Sequence, residues 1–218
     1  MDFRPVLYTL GALVVLLAAG MILPTLTDLA MGNPDWQTFL IALFLTAMVG
    51  GMMMLSTRDS GDALNLRQAF LVTTLAWAVL PGFAALPLAF SELDLSFTDA
   101  YFEAMSGLTT TGSTVISGLD HTPPGILLWR SLLQWFGGIG IVVMAVAVLP
   151  MLQVGGMQVF KVESFETVEK ILPRAAQISV AMSGLYVAFT ALCMMLYMIA
   201  DMGAFDALAH SMTAISTG

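Results

Sequence analysis

Charged side chains are scarce in this sequence, in which Lys and Arg number 7 and Asp and Glu number 15 among 218 residues. Hydrophobic residues make up 58% of the chain and charged residues 10%, against roughly 45–50% and 25% in soluble domains. This composition excludes an ordinary water-soluble fold. Cysteine is almost missing as well, because Cys193 is the only one, so these residues cannot form an internal disulfide or a metal site of paired thiols.

Long apolar runs take the place of charge. A hydrocarbon core of about 30 Å needs roughly 20 helical residues, and the sequence predicts five spans at residues 6–26, 36–55, 69–90, 126–152 and 175–200. The first run exceeds the roughly 7–15 apolar residues of a signal peptide, so we interpret it as a retained helix. The fold class predicted is an all-α polytopic membrane protein, with no room for a sizeable soluble domain.

The cations predict how the chain crosses the membrane, because cytoplasmic loops are rich in Lys and Arg. Six of them lie on the side of the N terminus, which we therefore place in the cytoplasm: Arg4, Arg58, Arg67, Lys161, Lys170 and Arg174. The opposite side carries Arg130 and nine carboxylates: Asp28, Asp35, Glu92, Asp94, Asp99, Glu103, Asp120, Asp201 and Asp206. An acidic outer surface would attract cations, although ordinary depletion of Lys and Arg from exported loops explains the pattern equally well.

A segment between the third and fourth runs, residues 97–115, is too short and polar to span and too apolar for a free loop. Residues 99–107 predict a helix of about 13 Å, near half the hydrocarbon thickness, and we interpret the segment as re-entrant. Backbone at that depth must be buried in protein or line a wet cavity, because lipid cannot satisfy bare amide and carbonyl groups. We therefore expect residues 109–114 to line such a cavity.

The pattern returns about 107 residues later, at residues 206–218. Both segments share Asp, Ala, Met and a small hydroxyl residue in register, and after one residue is skipped both end in hydroxyl-Thr-Gly. We interpret this as an internal repeat of span, re-entrant loop and span, with chance similarity of two Ala-, Ser- and Thr-rich segments as the alternative. The chain is thereby divided into four parts. Residues 1–66 form two leading transmembrane helices and a cytoplasmic loop, and residues 67–152 a first helix–pore-loop–helix repeat. Residues 153–174 form a cytoplasmic connector, and residues 175–218 a second repeat that ends in its selectivity filter, the ion-binding part of the re-entrant loop.

The repeated segments predict a cation site. A helix that enters the membrane from outside directs its carbonyl end, which is partly negative, toward the membrane centre and favours a cation there. Gly112 and Gly218 can adopt φ > 0, which lets the neighbouring carbonyls turn toward one axis. The predicted potassium ligands are the carbonyls, with added hydroxyls, of Thr110, Thr111, Gly112, Ser113, Ser216, Thr217 and Gly218. Potassium is here the substrate, and we expect no catalytic residue, no cofactor and no nucleic-acid partner.

Several motifs in order carry a family resemblance. Thr-Thr-Thr-Gly-Ser-Thr at residues 109–114 precedes Trp-Arg-Ser-Leu-Leu-Gln-Trp-Phe-Gly-Gly-Ile-Gly at residues 129–140, and the connector at residues 156–174 precedes residues 204–218. This order resembles the TrkH/KtrB family of potassium transporters, and the two leading helices resemble its TrkH branch. The resemblance implies four pore repeats per subunit, a homodimer in the bacterial inner membrane and a cytosolic ring of nucleotide-binding TrkA-type subunits.

Because the sequence supplies only two of four repeats, the resemblance implies a missing C-terminal half, and we expect these residues not to conduct alone. A truncated product, an engineered piece and one half of a split transporter all stay open as origins. Two other functions also stay open: a secondary transporter that binds an organic solute at broken helices, and a non-conducting membrane fragment.

Several other residues have alternative interpretations. Arg130 either reaches the membrane interface as an ordinary snorkelling side chain or pairs with Glu103 or Asp99 and supports the pore helix. Gly137 and its neighbouring glycines are expected to serve close helix packing rather than a gating hinge. His210 and Ser211 are adjacent, so on a helix they cannot face one another as a catalytic pair.

Overall fold

The computed structural model describes residues 2–58, 64–152 and 171–217, and within these ranges the chain is helical, with no strand. The elements in chain order are α1 (Arg4–Gly20), α2 (Ile22–Met31), α3 (Trp36–Ser56), α4 (Leu66–Ala84), α5 (Leu86–Ala89), α6 (Phe97–Leu108), a short 3-10 turn (Leu119–His121), α7 (Pro124–Leu152), α8 (Ile171–Ile199) and α9 (Ala204–Ile215). The all-α fold is thereby confirmed. Most of the predicted connector, with Lys161 and Lys170, lies outside the described residues, and so does Gly218.

Five stretches of the described chain are long and apolar enough to cross a membrane: Arg4–Met31, Trp36–Ser56, Arg67–Ala89, Pro124–Val142 and Gln177–Ile199. All five predicted spans are therefore present. Two of them are broken helices, because α1 gives way to α2 at Met21 and α4 to α5 at Ala85. Pro24 follows the first break and Pro87 the second, and proline lacks the amide that would continue the helical hydrogen bonds.

Helix α7 lies at the centre of the described bundle. Trp129 on α7 is fully buried, and its indole Nε1 donates to the carbonyl of Ala84 at 3.0 Å. The ring of Phe39 from α3 meets it edge to face, with 6.3 Å between centroids. About 56% of the Pro124–Val142 stretch is buried, compared with 6% of Gln177–Ile199, so α7 is the element that the others surround.

Helices α1 and α3 approach each other through two glycines. A Cβ on Gly11 would lie 2.8 Å from the Gly50 carbonyl oxygen, and a Cβ on Gly50 would lie 2.9 Å from that of Gly11. Small residues permit this close backbone contact between membrane helices. The leading helices thus form a tight hairpin, and its α2 end packs on α7.

Candidate functional site

The first half-length helix, α6, begins at a side-chain cap. The hydroxyl of Ser96 accepts a hydrogen bond from the Asp99 amide at 3.2 Å and donates to the Asp99 carboxylate at 2.7 Å. This reciprocal pair satisfies amide groups that the first turn leaves open and places a negative charge at the positive helix end. Asp99 therefore lies at the start of α6, bonded to Ser96.

The other end of α6 turns sharply at a threonine. Thr110 has φ 56°; its amide donates to the Gly107 carbonyl at 2.9 Å, and the Thr111 amide donates to that of Ser106 at 2.9 Å. These two bonds define a Schellman motif, in which glycine is the usual left-handed residue. Gly112 has φ 74°, the left-handed conformation that the sequence predicts, but the same conformation at Thr110 is unexpected for a β-branched residue.

The second half-length helix, α9, ends in the same way. Both helices have 12 residues, and Thr217 has φ 64° with its amide 3.3 Å from the Ala214 carbonyl. The hydroxyl of Ser216 donates to the Met212 carbonyl at 2.9 Å, as that of Thr109 does to Met105 at 2.8 Å. The two segments are thus equivalent residue by residue as far as Thr217.

As far as Thr217, this equivalence needs no skipped residue. Since the helices have equal length and the same cap, Ser216 corresponds to Thr109 and Thr217 to Thr110. Gly218 lies outside the described residues, so its match with Gly112 stays a prediction.

A buried carboxylate holds the chain that returns from Gly112. Glu103 is 3% exposed, and its Oε1 accepts hydrogen bonds from the Thr114 hydroxyl, the Val115 amide at 3.0 Å and the Ile116 amide at 3.4 Å. Its Oε2 lies 3.5 Å from Arg130 Nε on α7. One charged side chain on α6 therefore joins the loop to the neighbouring helix.

Hydroxyl groups around the loop differ in what they contact. The Ser106 hydroxyl donates to the Ser113 carbonyl at 2.6 Å, which turns that carbonyl toward α6. The hydroxyls of Thr109 and Thr111 lie 2.8 Å apart. Among the described residues, those of Thr110 and Thr217 have no hydrogen-bond partner, so both remain available to a ligand.

Glycines let α7 lie directly against both half-length helices. A Cβ on Gly137 would lie 2.0 Å from the carbonyl oxygen of Leu108, the last residue of α6. A Cβ on Gly138 would lie 2.4 Å from the Tyr186 hydroxyl and 3.2 Å from the Ser216 Cβ, whereas Gly140 has open space. The packing interpretation thus applies to the first two glycines.

Three of the nine carboxylates that the sequence places on the outer side are buried in the bundle: Asp28 is 0%, Asp35 3% and Glu103 3% exposed. An acidic surface could therefore include at most the other six, because buried groups act on their hydrogen-bond partners rather than on solvent. Burial raises the pKa of Asp35 above 3.8; a backbone hydrogen bond from Glu92 opposes the shift and the Glu92 charge adds to it.

His210 and Ser211 differ in their exposure to solvent. His210 is exposed on α9, while Ser211 is fully buried with its hydroxyl 2.8 Å from the Leu208 carbonyl. Within the described ranges, no group of three or more His, Cys, Asp or Glu side chains could hold a metal ion.

Five apolar spans and two matching half-length helices define an all-helical polytopic membrane protein. The chain belongs to the TrkH family of cation transport proteins, whose sequence model matches residues 35–218. It is 42% identical to the Trk system potassium uptake protein TrkH of Halomonas elongata and 41% identical to that of Escherichia coli K12, each over 221 aligned residues.

Those alignments cover 100% of this chain and 46% of each relative, so the chain spans about half the length of the curated relatives it matches. A solved structure agrees with the fold. The crystal structure of the potassium transporter TrkH from Vibrio parahaemolyticus superposes with a TM-score of 0.85 at 37% identity, over 97% of this chain and 42% of that one.

Proposed function

We propose that this chain supplies two of the loops that line a potassium pathway across a bacterial inner membrane. The observation that carries this is the pair of equivalent half-length helices, each ending in a left-handed threonine and each packed against α7. The choice of potassium is supported by the relatives, which are described as potassium uptake proteins. Two unrelated loops would not be expected to share helix length, a left-handed threonine after the helix and the same hydroxyl contact at its last turn.

In this proposal, potassium exchanges its hydration shell for oxygens at the ends of α6 and α9. The ligands are drawn from Thr110, Thr111, Gly112, Ser113, Ser216, Thr217 and Gly218. The partial negative charge at a helix C terminus favours a cation at this place. The free hydroxyls of Thr110 and Thr217 support the assignment, whereas Ser113 would contribute its hydroxyl, because its carbonyl faces Ser106.

Glu103 and Arg130 support the filter without touching the ion. Glu103 neutralises Arg130 and holds residues 114–116 by hydrogen bonds, so the path of the loop depends on a buried charge. Asp99 supports the same helix from its other end, through Ser96.

The assembly that we propose follows the family. The N terminus is cytoplasmic and both loops enter from the periplasmic side, with residues 1–66 as leading helices, 67–152 and 175–218 as pore repeats, and 153–174 as the connector. The subunit forms a homodimer in membrane lipid, its remaining repeats come from a C-terminal half, and cytosolic TrkA-like nucleotide-binding subunits regulate it.

The test uses the natural full-length protein in cells that lack potassium uptake. We expect Gly112→Ala to abolish growth at low potassium, since a Cβ at φ 74° is strained and distorts the carbonyls beside it. Gly140→Ala is the matched control, because nothing lies within 4 Å of its Cβ position. Wild-type growth of both variants at equal abundance would contradict the proposal, as would saturable uptake of an organic solute that is indifferent to potassium.

A further inference from the structure

We propose that Asp28 is a positioning residue: its carboxylate, on the leading helix α2, caps the N terminus of α7 and thereby holds α7 in place against the filter loop. The connection is a hydrogen bond from the Gly125 amide to Asp28 Oδ1 at 2.7 Å, across 97 residues of sequence. Through this hydrogen bond the leading helices would support the filter loop, although they supply no ligand to the ion.

Helix α7 has no cap of its own in the sequence that precedes it. Pro123 and Pro124 carry neither an amide hydrogen nor an oxygen in their side chains. The nearest hydroxyl, on Thr122, contacts the Gly118 carbonyl at 3.4 Å. Gly125 is the first residue with an amide to offer, and a helix start leaves such amides unsatisfied. Asp28 supplies the missing acceptor and a negative charge where the helix end is partly positive.

The fit of Asp28 is specific. Its side chain is fully buried, and among the described residues Oδ2 has no hydrogen-bond partner. A Cβ on Gly125 would lie 2.1 Å from Oδ2, so only glycine at that position lets the carboxylate reach the helix. A buried carboxylate is costly unless a compensating group meets it, and the α7 terminus is the group present.

Fixing this end of α7 fixes the contacts further along it. Arg130 lies five residues after Gly125, about one and a half turns, and meets Glu103 there. Gly137 then passes the end of α6 with no room for a side chain. A tilt or slide of α7 at its first turn would therefore displace the groups that hold the loop.

The experiment compares Asp28→Ala, Asp28→Asn and Gly125→Ala in the natural full-length protein, with Asp120→Ala as control because Asp120 is an exposed outer carboxylate. Hydrogen exchange over the first turns of α7 reports the anchor directly. Potassium uptake gives KM, maximal rate and sodium discrimination at measured abundance. This uptake arm rests on the proposed function, whereas the exchange arm does not.

We expect Asp28→Ala and Gly125→Ala to speed exchange at the start of α7 by about fivefold to tenfold, as loss of a helix cap does, to raise KM and to weaken discrimination against sodium. Asp28→Asn keeps an acceptor oxygen and should stay close to wild type in exchange, KM and sodium discrimination, and Asp120→Ala should change none of the three. Unchanged exchange in Asp28→Ala would overturn the proposal. So would an Asp28→Ala protein that is less abundant but has wild-type KM and wild-type discrimination against sodium. A wild-type protein that does not transport potassium would refute the proposed function and leave the exchange result to decide the anchor.

Discussion

The two half-length helices share a backbone and differ in what surrounds it. Each has 12 residues and a left-handed threonine after its end. At the equivalent position, however, the first carries buried Glu103 and the second carries exposed His210. Both segments thus share the turn into the loop, while among the described residues only the first has ionic support.

The N-terminal ends of α6 and α9 also differ in their polar contacts. Ser96 caps α6 with its side chain, whereas Gly203 precedes α9 without a side-chain hydrogen bond. The buried small residues nevertheless match, since Ala100 and Ala207 are both 0% exposed. The two helices are therefore alike in this buried position and differ in their polar contacts.

The largest effect should come from removing the ionic support in one copy only. Glu103→Ala leaves Arg130 without its partner and the Val115 amide without its acceptor, a loss of about 3 kcal/mol. His210→Ala removes an exposed side chain and should cost less than about 0.5 kcal/mol. Thermal unfolding of the purified full-length protein measures both. Similar destabilisation by the two variants would contradict the asymmetry.

Charge reversal sharpens the same comparison. Glu103→Arg and Arg130→Glu should each abolish potassium uptake, and the double variant should recover part of it if the ion pair at 3.5 Å carries the coupling. A double variant no better than either single one would leave Arg130 as an ordinary interfacial side chain.

The next effect concerns the helix that both copies share. Gly137→Ala places a methyl group 2.0 Å from the Leu108 carbonyl oxygen, and backbone cannot move aside as a flexible side chain can. We expect about 1–3 kcal/mol of destabilisation and loss of uptake. Gly140→Ala, on the same helix with open space around it, should behave as wild type in unfolding and uptake assays.

A smaller effect should be equal in the two copies. Thr110→Gly and Thr217→Gly each relieve a left-handed β-branched residue, which favours the folded state by about 1 kcal/mol or more, offset in part by the flexibility of glycine. Both should reduce discrimination of potassium over sodium, because each removes a free hydroxyl. A change in selectivity from only one of the two would show that the copies are not equivalent at the ion.

The smallest effect lies outside both copies, at Asp35. Its pKa is raised above 3.8, so the folded state binds the proton more tightly than the unfolded state does. This contribution to stability is fully present below 3.8 and is lost as pH rises through the folded pKa. Asp35→Asn should therefore stabilise the protein near neutral pH and flatten this part of the pH profile, measured by unfolding across the acidic range. An unchanged profile would show that Asp35 does not contribute.

The predictions that the structure confirms, the five spans and the left-handed glycine, rest on hydropathy and on the conformational freedom of glycine. All five spans follow from the runs of apolar residues, and the left-handed Gly112 follows from the freedom of glycine. Both are local properties, which need only the residue and its neighbours in sequence. The half-length helix was likewise visible as a short apolar segment between two spans.

The errors came from contacts between distant residues. Counting Asp28 among the exposed outer charges assumed that a carboxylate in a loop region faces water, but its partner is an amide 97 residues away. Thr110 could not be recognised as left-handed, since its type disfavours that conformation. One signal was present: Pro123, Pro124 and Gly125 begin a long helix without a capping residue, which indicates a cap from elsewhere.

The most direct test of the account is the position of a heavy potassium analogue, such as rubidium or thallium, in crystals of the natural full-length protein. We predict an anomalous peak bounded by oxygens of Thr110, Thr111 and Gly112 and by the matching residues after α9, and we predict that Gly112→Ala removes it. A protein that binds the analogue only elsewhere, with these oxygens facing away from it, would contradict the account.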